Sequence, residues 1–205
     1  MRAKRYLKAI CYAVSLLFVL PLATAELFAR RLMRRDVWFE SHGQALSLVP
    51  GKIGSFIRNA YWHLTLQTCP LHCSFSFGTE FTHSQSEVGQ RVYTGSHCVI
   101  GLCNIGDDTM LADHVHILSG KCQHGTSDPT VRFQDQPQVF TRIQVGRNCW
   151  LGTNTVVMAD IGDDCVIGAG SVVTRPVSDN SVAVGNPARI IRTTVPTRPP
   201  NFVSS

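Results

Sequence analysis

The chain has 205 residues, room for one domain and an appendage, with 44% hydrophobic residues, 16 Gly and a formal charge of +5. That charge is local: residues 1–35 hold eight basic side chains and one acid, Glu26, whereas the remainder has 11 basic and 13 acidic residues. A net −2 over the bulk of the chain excludes a nucleic-acid groove as its main surface and leaves the basic residues to a membrane.

Residues 1–8 are basic, and Ala9 to Ala25 form an uncharged, mostly apolar run. Ala23-Thr24-Ala25 has the form of a signal-peptide cleavage site. Against that reading, Arg30, Arg31, Arg34 and Arg35 follow at once, and a strongly basic stretch after the run resists translocation. The run is short for a straight span, which needs about 20 apolar residues, and Pro21 is expected to kink its helix. Basic residues at both ends keep both ends in the cytoplasm. Residues 1–35 are therefore expected to be a membrane-anchoring helical segment, re-entrant or lying in the interface, with a single tilted span as the competing geometry.

Residues 36–74 read as a helical connector rich in aromatics (Trp38, Phe39, Phe56, Tyr61, Trp62). The stretch Ile53 to Gln67 suits a helix, placed either at the membrane boundary, where Trp and Tyr collect, or on the end of the following domain as a cap. Cys69-Pro70-Leu71-His72-Cys73, with His83, has the residue types of a zinc site, but the spacing matches no closed Cys/His pattern and a second Cys pair is missing.

From about Phe75 the sequence repeats every six residues. Hexads open at Val88, Thr94, Ile100, Ile105 and Leu111, and again at Val145, Leu151, Ile161 and Ile167. An aliphatic residue opens most of them, Gly usually follows, and the fifth place is small (Cys98, Thr109, Cys149, Thr155, Cys165, Ser171). Such a period builds a parallel β-helix, in which three hexads make one triangular coil and stacked coils share a core. The Gly is expected to let the backbone turn, and the interior cysteines to behave as small apolar residues in a reducing compartment. His97 and His114, both at the fourth place, are expected to stack on adjacent coils. The repeat stops at Ser119 and resumes near Ile143, so residues 119–142 form an extruded loop, and loops of that length are usually functional. After Arg192 the Pro-, Thr- and Ser-rich tail, 193–205, reads as disordered.

The hexads, the loop bearing His124, the Asn148-Cys149-Trp150-Leu151-Gly152 step, Ile167-Gly168-Ala169-Gly170-Ser171 and Gly185-Asn186-Pro187-Ala188-Arg189 together resemble hexapeptide-repeat O-acetyltransferases of the galactoside, maltose, xenobiotic and exopolysaccharide-modifying types. The resemblance covers residues 75–192. It implies an all-β domain, a left-handed parallel β-helix, assembled as a homotrimer with active sites between copies. It also implies acetyl-CoA as co-substrate, no metal, and a loop histidine as general base. Of the eight His only His124 lies in the loop, so the role is carried there. A neutral imidazole is suited to take a hydroxyl proton near pH 7. Asp128, four residues on, is expected to orient it. The loop is about two residues longer before His124 than in galactoside acetyltransferases. By the same resemblance Thr153, Ala169 and Thr174 line the pantetheine arm, Arg175, Arg189 and Arg192 meet the phosphates, and Trp150 walls the cleft.

With a membrane segment attached, the expected acceptor is a hydroxyl of a lipid-linked saccharide or surface polysaccharide at the cytoplasmic face of a bacterial plasma membrane. Alternatives are a serine O-acetyltransferase, a sugar N-acyltransferase, a β-helix metalloenzyme, for which a His-x4-His pair is missing, and a non-catalytic scaffold.

Overall fold

A computed structural model describes residues 2–33 and 38–193, with backbone alone for 2–5 and 33. Arg34, Arg35 and the tail from 194 lie outside the described residues. The repeat folds as expected, into a parallel β-helix of three sheets. The first sheet stacks Ser74–Phe75, Tyr93–Thr94, Met110–Leu111, Trp150–Leu151, Val166–Ile167 and Ser181–Val184. The second stacks Glu80–Phe81, Val99–Ile100, His116–Ile117, Val156–Val157 and Val172–Val173. The third stacks Glu87–Val88, Cys103–Ile105 and Ile143–Val145, and continues through single bridges to Ile161 and Val177. Each hexad-opening residue points inward: Phe75, Thr94, Leu111, Leu151, Ile167 and Ala183 stand in register on the first sheet and all are buried. An antiparallel strand, Arg189–Thr193, closes the last coil against Ser181–Val184.

Two hexad places have physical reasons other than those expected. The backbone turn is made at the fourth place, where Arg91, His97, Asp108, His114, Asn148, Asn154, Asp164 and Asn180 all have φ between 52° and 60°. Asn and Asp tolerate this left-handed region better than other side-chain-bearing residues. The glycine at the second place does not have positive φ. It is needed because the next coil passes too close: a Cβ on Gly106 would lie 2.5 Å from the Arg147 nitrogen, and one on Gly95 2.5 Å from the Asp113 nitrogen. The fifth places, including Cys98, Cys149 and Cys165, are buried. His97 and His114 stack, ring centroids 5.2 Å apart and 12° from parallel.

An all-β assignment is too narrow, because three helices precede the prism: α1 (Arg2–Met33), α2 (Phe39–Ser47) and α3 (Gly51–Thr65). α3 packs against the first coil of the prism. Tyr61 and Trp62 of α3 are fully buried, with the Trp62 ring 5.2 Å from that of Phe81 at the first coil. Arg58, also buried, donates to the carbonyls of Leu46, Ser47, Val49 and Phe75, and so ties α2, α3 and the first strand together. α1 is continuous through Pro21 and longer than the apolar run alone. One face packs on the cap: Val19, Ala23 and Ala29 are buried, Tyr12 meets Phe56 ring to ring at 4.8 Å, and Arg30 donates to the Thr65 carbonyl.

Candidate active site

The loop 119–142 leaves and rejoins the prism at the corner between the second and third sheets. Its base is pinched by the Thr141 amide on the Ser119 carbonyl (2.9 Å). Arg142 fixes its exit by donating to the Gln85 carbonyl and to Asn104 Oδ1. Inside, Gly125 and Pro137, and Gln123 and Val139, pair through backbone hydrogen bonds on either side of an antiparallel bridge between His124 and Gln138. The buried Gln136 donates from Nε2 to the carbonyls of Asp128 and Val131, both at 3.0 Å. The segment is thus a hairpin folded around one buried amide.

That hairpin holds His124 over a cleft of about 420 Å³ whose lining includes Glu40 of α2, Thr82, His83, Val99, Gln138 and Phe140. Gln138 Nε2 lies 3.3 Å from His124 Nε2. An amide nitrogen only donates, so His124 Nε2 is the acceptor and the neutral ring carries its proton on Nδ1. The lone pair needed for proton abstraction therefore lies at Nε2, held in place by Gln138.

Asp128 is not placed to orient this ring. Its Oδ1 accepts from the amide and hydroxyl of Thr130, at 2.9 and 2.6 Å, and those bonds hold its carboxyl below the usual carboxylate range. The orienting contact comes instead from Gln138, one loop strand away. His83 is the other imidazole of the cleft, 2.9 Å through Nδ1 from Thr82 Oγ1, its ring edge-on to Phe140 at 4.8 Å. Glu40 and Gln138 are absent from the sequence-derived set, and His83 entered it only beside the Cys69–Cys73 pair, not as a residue of this cleft. The coil period contained a signal for His83, because Phe81, Ile100 and Ile117 are in register. Two residues after each comes the corner from which the loop springs.

The residues expected around acetyl-CoA fall on different parts of one prism. Thr153 and Ala169 are exposed third-place residues on successive coils at the corner between the first and second sheets, where the Gly170 amide donates to the Thr153 carbonyl. Thr174 and Arg175 follow the second sheet at the loop's corner. Pro176 beyond them lines a second hollow, of about 310 Å³, with Lys121, Cys122, Arg142 and Met158. Trp150 stands on the flat outer side of the first sheet, 55% exposed, between Met110 and Val166. Arg189 and Arg192 are exposed on the closing strand, Arg189 donating to the Ala188 carbonyl. A single copy does not gather these groups into one cleft. Among the described residues no three His, Cys, Asp or Glu side chains converge as metal ligands, the Cys69–Cys73 and His97–His114 pairs included.

Fold and repeat together define a protein of the hexapeptide-repeat β-helix class. The family described as the hexapeptide repeat of succinyl-transferase matches residues 142–175. The structure is similar to a maltose O-acetyltransferase from Clostridium difficile 630 (TM-score 0.68, 24% identity, 78% of this chain and 88% of that one). It is also similar to a galactoside acetyltransferase in complex with coenzyme A (0.56, 24%, 75% and 80%). A hexapeptide-repeat acetyltransferase of Vibrio cholerae O1 biovar eltor complexed with acetyl coenzyme A gives 0.57 at 20% identity, over 78% and 89%. The chain shares the fold of these acetyltransferases, and the resemblance read from its motifs holds at that level.

Proposed function

We propose that the protein is an acetyl-CoA-dependent O-acetyltransferase acting on a saccharide hydroxyl. The observation that carries this reading is the hairpin that lifts His124 off the prism and sets it in the wall of a cleft beside the coils, its Nε2 bonded at rest to Gln138. Proteins of this fold include a maltose O-acetyltransferase and enzymes with CoA or acetyl-CoA bound. In the reaction, the acceptor hydroxyl displaces the Gln138 amide from Nε2 and passes its proton there. Its oxygen attacks the thioester carbonyl, and the tetrahedral intermediate expels the CoA sulfur, which takes the proton back from the imidazolium. General-base help of this kind is worth about 10²–10⁴ in rate, with positioning supplying much of the rest. Thr153, Ala169, Thr174, Arg175, Arg189, Arg192 and Trp150 serve the acetyl-CoA, contributed by two copies of a homotrimer. The enzyme works at the cytoplasmic face of the plasma membrane of a bacterium, where the acceptor is a lipid-linked or nascent surface glycan; the apolar, basic-flanked segment at residues 1–35 supports this reading.

The purified chain, given acetyl-CoA with a lipid-linked glycan, free maltose, an amino sugar or serine in turn, tests the reading. Release of CoA with an O-acetylated glycan is expected, abolished to background by His124→Ala. Equal turnover of serine, N-acetylation, or an active His124→Ala variant overturns it.

A further inference from the structure

The membrane location proposed above is refined here, and this inference rests on it. α1 has two unlike faces. The inner one packs along α3 from Tyr12 to Arg30 and buries Glu26, whose Oε1 accepts from Arg30 at 3.3 Å. The outer one exposes Tyr6, Ile10, Leu17, Phe28 and Leu32, each more than half open to solvent. Tyr6 to Leu32 is long and apolar enough to cross a bilayer. A crossing, however, would draw α3 into hydrocarbon with its buried Arg58 and Asn59, because α1 lies against that helix over most of its length. Buried charge is costly there. The outer apolar strip also runs some 39 Å, at 1.5 Å per residue, and a contiguous exposed apolar patch of this kind marks a lipid or protein contact.

On the other, packed side of α1, near its first turns, α1 and α3 border a hollow of about 180 Å³ lined by Lys8, Tyr12, Lys52, Ser55, His72 and Ser74, with no acidic side chain in its wall; with the outer face in the acyl chains this side faces the headgroups. Cationic and hydroxyl donors around a small void suit a phosphate group. We infer that α1 is a monotopic membrane helix: it lies in the plane of an anionic lipid surface, outer face among the acyl chains, with a lipid phosphate seated between Lys8 and Lys52. The charge agrees, since residues 1–35 carry +7 and anionic leaflets attract such segments.

Flotation of the full chain with phosphatidylcholine vesicles, with and without phosphatidylglycerol, tests the contact. Strong binding to the anionic vesicles is expected, weakened at least about tenfold in Lys8→Glu/Lys52→Glu and lost in Leu17→Glu/Phe28→Glu, which keeps its acetyl transfer to a soluble sugar. Absence of flotation sinks the location as well as the geometry, without touching the acetyl-transfer reading. Spin labels at Ile10→Cys, Leu17→Cys and Phe28→Cys, in a background free of Cys11 and Cys122, should report one shallow depth. A label at the bilayer centre overturns the in-plane geometry alone. Displacement by inorganic phosphate would mean a free-anion site, and self-association through α1 in place of lipid binding would mean a second copy; either result rejects the proposal.

Discussion

At the scale of the residue, the hexad is a steric code with three separate demands. The opening side chain fills the core, the second place must clear the backbone of the next coil, and the fourth must turn left-handed. Gly106→Ala forces a Cβ to within 2.5 Å of the Arg147 nitrogen, an overpacking expected to cost about 1–3 kcal/mol. Asn154→Ala, at φ 60°, should cost about 1–2 kcal/mol, and Asn154→Gly almost nothing; urea titration of the three variants checks the order. The opening and fifth places were legible in the sequence because burial selects residue type directly. The reason for the second-place glycine was not, because a one-dimensional pattern shows neither how near the next coil runs nor where the turn is made. The interior thiols carry a pH signature. Burial pushes Cys103 up to about 12 and Cys98 up to about 11, against an ordinary value of 9. The unfolded chain then loses these protons first, so their contribution is intact below pH 9 and falls as pH rises from 9 through the folded values. Across that window Cys103→Ala should flatten the decline of stability by about 1.4 kcal/mol per pH unit relative to the parent.

At the scale of the element, the helices show where local pattern yields to packing. Pro21 sits on the exposed side of α1, where the lost backbone bond faces away from the cap, and the helix continues through it. The amphipathic character of 53–67 was plain from the sequence, but whether Tyr61 and Trp62 met lipid or protein depended on Phe81 and Phe39, which approach them only in the folded cap. Arg58 left no sequence signal, since an arginine in a helix is ordinarily solvated. It stays charged at neutral pH although burial lowers its pKa to about 10. Removing it strands the carbonyls of Val49 and Phe75, whereas those of Leu46 and Ser47 keep the Val49 and Gly78 amides; each stranded group costs about 1–3 kcal/mol. Arg58→Met should therefore destabilise the chain by at least about 2 kcal/mol, and Arg58→Lys should not rescue it, because one ammonium cannot span the fork. Thermal melts against the parent measure both. In the loop, the candidate base was legible because only one histidine fell between the two halves of the repeat. Its partner was not, because Gln138 reaches His124 through a hairpin closed by the buried Gln136. Because the acceptor must displace Gln138 from Nε2, Gln138→Ala should not lower kcat, and Asp128→Ala should leave kcat and the KM for acetyl-CoA near the parent's; steady-state kinetics against His124→Ala checks both.

At the scale of the whole molecule, the distribution of groups argues for assembly. A triangular prism keeps its three edges apart, so Thr153 and Ala169 on one corner face a different direction from Thr174, Arg175 and the His124 loop on the next. A pocket that needs both sets is completed by laying one prism beside another. The first sheet offers a surface for this: Tyr93, Met110 and Trp150 are in register on successive coils and stand outward, 42%, 49% and 55% exposed. Such a ladder of large apolar side chains on a flat sheet suits a contact between copies related by a closed rotation. Light scattering in mild detergent should give three times the 22.6 kDa of one chain. Tyr93→Glu/Met110→Glu places carboxylates in that contact, where unpaired charge is strongly unfavourable. It should yield folded monomers, with the far-ultraviolet circular dichroism of the parent and no acetyl transfer. A parent that is monomeric yet active would show that one prism suffices, and a trimer unmoved by the double substitution would place the contact on another face.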